Sequence, residues 1–160
     1  MMETQLGTAR TGKEKLVKLV TFPMGKLHLA LHIDYVTKII NYTPIYGSGL
    51  NHLGLAHIGD REITVVDLHK RLFKTPLPRE SETKGYLVLA KTSQGEDFGI
   101  LVHETPTLVD IPLKQIRVLP DSYRHADTLI IASHLTIIPQ PQGQLTVFLL
   151  DVDQVLPRLV

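Results

Sequence analysis

One pattern occurs twice in this chain, once in each half: a β-branched strand that ends on an aspartate and opens a short amphipathic helix. In the first half Glu62-Ile63-Thr64-Val65-Val66-Asp67 runs into Leu68-His69-Lys70-Arg71-Leu72-Phe73. In the second, Leu145-Thr146-Val147-Phe148-Leu149-Leu150 runs into Asp151, after which Val152, Val155 and Leu156 recur at helical spacing. Each aspartate stands where its side chain can accept a hydrogen bond from the free N–H groups of a first helical turn, the N-cap position. Two equivalent ends imply two equivalent halves.

The rest of the chain supports that division. Residues 1–14 mix Thr, Gly, Gln and charges without a period and are expected to form a mobile tail. Leu16, Val17, Leu19, Val20 and Phe22 predict a strand, Pro23-Met24-Gly25-Lys26 a turn, and Leu27, Leu29, Leu31 and Ile33 a returning strand. Val36, Ile39 and Ile40 form a helical turn or another buried segment. A loop from Pro44 to Leu50 precedes strands at Leu53 to Ile58 and Glu62 to Val66, joined at Gly59-Asp60. The stretch from Thr75 to Lys84, with two prolines and clustered charges, has linker composition.

Beyond it the order repeats. Tyr86 to Ala90 and Phe98 to Val102 form a second hairpin, Leu108, Val109 and Ile111 answer Val36, Ile39 and Ile40, and Ile130-Ile131-Ala132 opens the last hairpin before Thr146 to Leu150. Pro112 to Asp127 reads as an insertion without a counterpart in the first half. Short strands at hairpin spacing, with Gly and Pro between them, predict a mostly β protein of two small five-stranded barrels with short helices, at 15–74 and 85–160. Each is too small for a large core of its own, so the two should share apolar surface. A single sandwich with coincidentally similar halves is the alternative.

Composition narrows the function classes. The 160 residues carry no Cys, which excludes disulfides and thiolate metal sites and fits a reducing, cytoplasmic compartment. A formal charge of +1, from 17 basic and 16 acidic residues, gives no general drive toward nucleic acid or an anionic membrane, so protein partners are expected. No signal-peptide pattern is visible at the N-terminus, and no apolar run approaches the roughly 20 residues that span a bilayer.

Catalytic and metal-binding patterns are weak. His28 and His32 fall four apart on a predicted strand, roughly 13 Å from each other, too far to share one zinc. His52 and His57 are five apart and would face opposite ways on a strand, while His125 and His134 flank the last hairpin with no carboxylate at ligand spacing. Ser48 between Gly47 and Gly49 matches neither a nucleophile elbow nor a phosphate-binding loop. Glu96-Asp97 and His103-Glu104 are adjacent pairs whose side chains point to opposite faces of a strand. Asp67 and Asp151 are explained as helix caps. No catalytic residue, cofactor or metal is therefore predicted.

The segments Leu29-Ala30-Leu31-His32-Ile33-Asp34-Tyr35-Val36-Thr37-Lys38-Ile39, Gly54-Leu55-Ala56-His57-Ile58-Gly59-Asp60, Thr64-Val65-Val66-Asp67-Leu68, Gly99-Ile100-Leu101-Val102 and Leu149-Leu150-Asp151 occur in the order and spacing of a known pattern. From about Leu19 to Leu156 the chain resembles the CheW-like domain, the coupling module of bacterial chemosensory arrays. That family's signature reads Gly-Val-x-Asn-Leu-Arg-Gly followed by Pro-Val-Ile-Asp-Leu. The resemblance implies two SH3-like β-barrels side by side and a non-catalytic scaffold in the cytoplasm. It would bridge a chemoreceptor tip and the regulatory domain of a CheA-type histidine kinase at a membrane-associated array.

Carried over by position, the protein-binding residues are Val36, Lys38, Ile39, Leu55, Ile58, Gly59, Asp60 and Arg61. Lys38 replaces a usual Glu, Gly59 a usual Arg, Asp60 a Gly, Thr64 a Pro and His103 an Asp. The expectation is that Lys38 faces Asp60 or Glu62 in a reversed charge arrangement that selects a non-standard receptor or kinase; the alternative is that these are solvated charges of little consequence. The changed positions also admit a divergent coupling protein of a twitching-motility or phototaxis system. A third reading, a small-ligand sensor or enzyme, would need polar groups converging in the groove between the barrels.

Overall fold

The structure, a computed structural model, describes residues 14–47, 52–79, 81, 84–124 and 130–157. The expected tail, apart from Glu14, lies outside the described residues, as do Ser48 and His125. In chain order the strands are β1 (Leu16–Met24), β2 (Leu27–His32), β3 (Val36–Asn41), β4 (Tyr46–Gly47), β5 (Leu53–Ile58), β6 (Arg61–Val66), β7 (Tyr86–Lys91), β8 (Asp97–Val102), β9 (Thr107–Pro112), β10 (Arg117–Val118), β11 (Ala132–Gln140) and β12 (Gly143–Leu150). Short helices α1 (Leu68–Phe73), α2 (Asp121–Arg124) and α3 (Val152–Val155) join them, with 3-10 turns at Ile33–Tyr35 and Leu113–Gln115.

The described residues form two six-stranded sheets, ordered β9-β1-β2-β12-β11-β10 and β3-β7-β8-β6-β5-β4. The protein is mostly β, as the hairpin spacing predicts. Each sheet gains a sixth strand of only two residues: β4 inside the expected loop, and β10 inside the expected insertion. Both occupy the same edge position, so part of the segment from Pro112 to Asp127 does have a counterpart in the first half. Val36, Ile39 and Ile40 lie on a strand, not a helical turn.

The halves are equivalent, yet the linker at 75–84 does not divide the sheets. Strands β7 and β8, which follow it, sit between β3 and β6 of the first half. Hairpin β1–β2 sits between β9 and β12 of the second. Each half thus lends its first hairpin to the sheet built from the rest of the other.

Burial explains the exchange. Leu19 to Phe22, Leu87 to Ala90 and Phe98 to Val102 are buried at every position, where a half-exposed strand would alternate. Such continuous apolar runs need cover on both faces and therefore occupy sheet centres. One core cluster joins Phe22, Leu29 and Leu31 to Phe98 and Ile100, across the two sheets. A smaller cluster, Leu19, Ala30, Ile111, Val147 and Leu149, fills the interior of the sheet that holds β1–β2.

The repeated aspartates are caps. Asp67 accepts the Lys70 amide at 3.0 Å and, with its other oxygen, the Leu77 amide at 3.1 Å. Asp151 accepts the Asp153 amide at 3.0 Å. Each closing helix also holds the turn of the hairpin its own half has lent. Gly25, in the β1–β2 turn at φ +61°, lies so close to α1 that a Cβ there would meet Phe73 Cε2 at 2.8 Å. Ser93, in the β7–β8 turn, donates its amide and hydroxyl to Asp153 of α3 at 2.9 and 2.6 Å.

Candidate partner-binding surface

Val36, Lys38 and Ile39 lie on β3, the outer strand of its sheet, opposite Ala90, Leu89 and Val88 of β7. The register shifts between Val36 and Lys38, a bulge of the kind that keeps an edge strand from pairing further. Lys38 is exposed and Ile39 is 37% exposed, while Val36 is half-buried.

The other predicted residues lie at the far side of the same sheet. Leu55 of β5 stands between Tyr46 of β4 and Thr64 of β6. Followed across the ladders, Val36, Ala90, Phe98, Thr64, Leu55 and Tyr46 form one transverse row. Its centre, Ala90 and Phe98, is buried, and it emerges at Tyr46, which is 59% exposed. Sequence reasoning overlooked Tyr46 because it falls in a segment of loop composition. Its ring meets that of His57 edge-on, with centroids 6.3 Å apart.

Ile58 and Arg61 face each other across the two-residue turn Gly59-Asp60. Gly59 adopts φ +65° and a Cβ there would meet nothing within 4 Å, whereas Asp60 keeps a negative φ. A hairpin turn with positive φ at its first central residue alone requires glycine there. Gly59 and Asp60, two of the positions at which the chain departs from the pattern it resembles, are the two central residues of this turn.

Lys38 pairs with neither Asp60 nor Glu62. Glu62 instead faces His57 at 3.8 Å, and no ion pair among the described residues involves Lys38 or Asp60. The expected reversed charge pair is not formed because β7 and β8 stand between β3 and β6, a separation of about 14 Å at ordinary strand spacing.

Arg61 is engaged differently. Its guanidinium donates to the Asp97 carboxylate, which also takes the Lys91 ammonium at 3.0 Å and is only 14% exposed. Lys91 and Asp97 are partners at the mouth of the β7–β8 turn. The signal in the sequence is the pair of opposite charges, Lys91 and Asp97, that flank the turn around Ser93-Gln94-Gly95.

The histidines are dispersed. His28 and His32 are both on β2, and among the described residues no three His, Cys, Asp or Glu side chains are grouped to hold a metal. His52 precedes β5, and its Nε2 is buried without a hydrogen-bond partner. Burial, aided by the Arg71 and Lys74 charges and opposed by Asp67, lowers its pKa below the ordinary histidine value. A cleft of about 310 Å³ is lined by Gln140, Pro141, Gln142 and Gln144 at the β11–β12 turn. No helix among the described residues is long and apolar enough to cross a membrane.

Residues 18–160 match the CheW-like domain family. No curated protein sequence matches the chain. Among solved structures, the chain is similar to the scaffolding protein TtCheW from Thermoanaerobacter tengcongensis, at a TM-score of 0.66 and 17% identity over 84% of each chain. At that identity the likeness establishes the fold, two SH3-like β-barrels side by side.

Proposed function

The chain belongs to the CheW-like domain family, and on that premise we propose that it is a non-catalytic adaptor coupling chemoreceptors to a CheA-type histidine kinase in bacterial signal transduction. The observation that carries this reading is the family match, which extends over both sheets rather than over an isolated motif. Two features of the first-described surface support it. Ile39 and Tyr46 expose apolar or aromatic surface on the two outer strands of one sheet, and a Cβ on Gly59 in the turn before Arg61 would meet nothing within 4 Å. A protein that works through such surfaces needs no converging polar groups. In this reading Val36, Lys38, Ile39, Leu55, Ile58, Gly59, Asp60 and Arg61 contact partners, and the protein acts in the cytoplasm at a receptor array.

The altered turn residues Gly59 and Asp60, and Lys38, which forms no ion pair among the described residues, favour one refinement: a divergent coupling protein, serving a system such as twitching motility or phototaxis. In this reading these changes fall on contact positions, and none of the three residues belongs to the core cluster.

Co-purification from the native cell tests both. Recovery of a histidine kinase together with a receptor supports the adaptor, and recovery of neither refutes it. Binding to a standard receptor tip and kinase as tight as that of a standard coupling protein would remove the refinement. Lys38→Glu, which restores the usual acid, should weaken the native receptor complex by severalfold while leaving the fold unchanged.

A further inference from the structure

We propose that hairpin β1–β2 is exchangeable between two copies of this chain, giving a swapped dimer in which each hairpin completes the partner's sheet. The hairpin already belongs to a sheet made by distant sequence: β9 on one side and β12 on the other. It cannot be left out. Leu19, Val20, Phe22, Met24, Ala30 and Leu31 are fully buried, so the slot between β9 and β12 must be filled by some copy of this hairpin.

Its connection to the rest of the described chain is slight. Only the 3-10 turn Ile33–Tyr35 joins β2 to β3, and that turn buries no residue. The residues on either side are already extended, His32 at φ −63°, ψ 135° and Val36 at φ −91°, ψ 124°. The turn is held by the Asp34 amide donating to His32 Nδ1 at 3.0 Å, on the surface. Its sequence favours the other state: Ile33, Tyr35 and Val36 are strand formers, and the alternation of Leu27, Leu29 and Leu31 continues into Ile33. Straightening three residues would merge β2 and β3 into one strand and carry the hairpin to a neighbour. Every contact of the hairpin is then remade between chains, the condition under which domain swapping is inexpensive. The product would present two copies of the β3 and β5–β6 surfaces on one particle.

The chain has no cysteine, which allows a direct test. Lys18 and Asp110 face each other between β1 and β9, with Nζ 3.3 Å from the carboxylate and both side chains about half exposed. In a Lys18→Cys, Asp110→Cys double variant a short bis-maleimide joins one chain to itself in the monomer, and two chains in the swapped dimer. The variant is refolded at high protein concentration, fractionated by size exclusion, cross-linked and run under denaturing conditions. A dimer fraction that yields covalent dimer, beside a monomer fraction that does not, is expected. Asp34→Pro, which removes the turn's amide donor and biases Ile33 to extended backbone, should raise the dimer fraction severalfold. Failure of any dimer to form at high concentration, with or without Asp34→Pro, would overturn the proposal. So would a dimer fraction containing only chains cross-linked to themselves.

Discussion

Arg71, on the helix that closes one sheet, donates from a single guanidinium nitrogen to the carbonyl of Val155, at 2.7 Å, on the helix that closes the other. The same nitrogen reaches the Gln154 carbonyl at 3.1 Å. A cation is thereby set against the last turn of α3, where the free carbonyls of a helix end concentrate negative partial charge. Charge-assisted bonds of this kind contribute about 1.5–3 kcal/mol. Arg71→Ala is expected to lower stability by about 2 kcal/mol, a fall in Tm of roughly 4–8 °C, measured by thermal unfolding. Arg71→Lys should recover part of the loss.

Two glycines with nearly the same backbone conformation should respond differently to alanine. Gly25 and Gly59 have φ of +61° and +65°, but only Gly25 lies against another element, with Phe73 Cε2 2.8 Å from the site of a Cβ. Gly59→Ala should cost about 1–2 kcal/mol, the ordinary penalty of a left-handed residue. Gly25→Ala should cost more, because the aromatic ring must move as well. Equal losses in chemical denaturation would show that the β1–β2 turn does not depend on its contact with α1.

Asp97 binds both Arg61 and Lys91 and is largely covered. Asp97→Asn removes the charge while keeping the shape, leaving two cations facing each other. A loss of about 1–2 kcal/mol is expected, in the range for breaking a partly buried ion pair and its hydrogen bonds. High salt should reduce the difference between variant and parent, since screening weakens the repulsion that remains.

Stability should fall as pH drops below about 6.5, the ordinary histidine value. Burial lowers the pKa of His28, opposed by Glu104, and lowers that of His52 despite Asp67. The unfolded chain then binds protons that the folded chain refuses, so the contribution of these groups is complete above the unfolded pKa and is lost on acidification. Urea midpoints at pH 7.5 and 5.5 measure the difference, and His52→Gln should shrink it. A midpoint independent of pH in both proteins would contradict the assignment.

Much of the fold was legible because local signals and burial agree. The hairpins at Leu16, Tyr86 and Thr146 and both aspartate caps follow from apolar runs, turn residues and side-chain chemistry close in sequence. The pairing of β1–β2 with β9 and β12 was not legible, since alternation defines a strand's faces but not its neighbours. The one available hint was that Leu87 to Ala90 and Phe98 to Val102 do not alternate, a mark of central strands. The candidate binding surface was legible only through resemblance. Val36 and Leu55 do share a transverse row, whereas the supposed Lys38 pairing failed on the width of the sheet that separates the partners.

The interlocked order of the strands also sets a timetable for synthesis. On a ribosome adding 5–20 residues per second, β1–β2 emerges roughly 5–20 seconds before β12, beside which it belongs. Within that interval every strand of the β3–β8 sheet is completed, so that sheet can close first. The hairpin, whose Leu19, Val20, Phe22, Met24, Ala30 and Leu31 must be buried, has no completed sheet to join. For a nascent chain this is the interval of greatest exposure, and the segment most in need of a chaperone is the first of the described strands to appear.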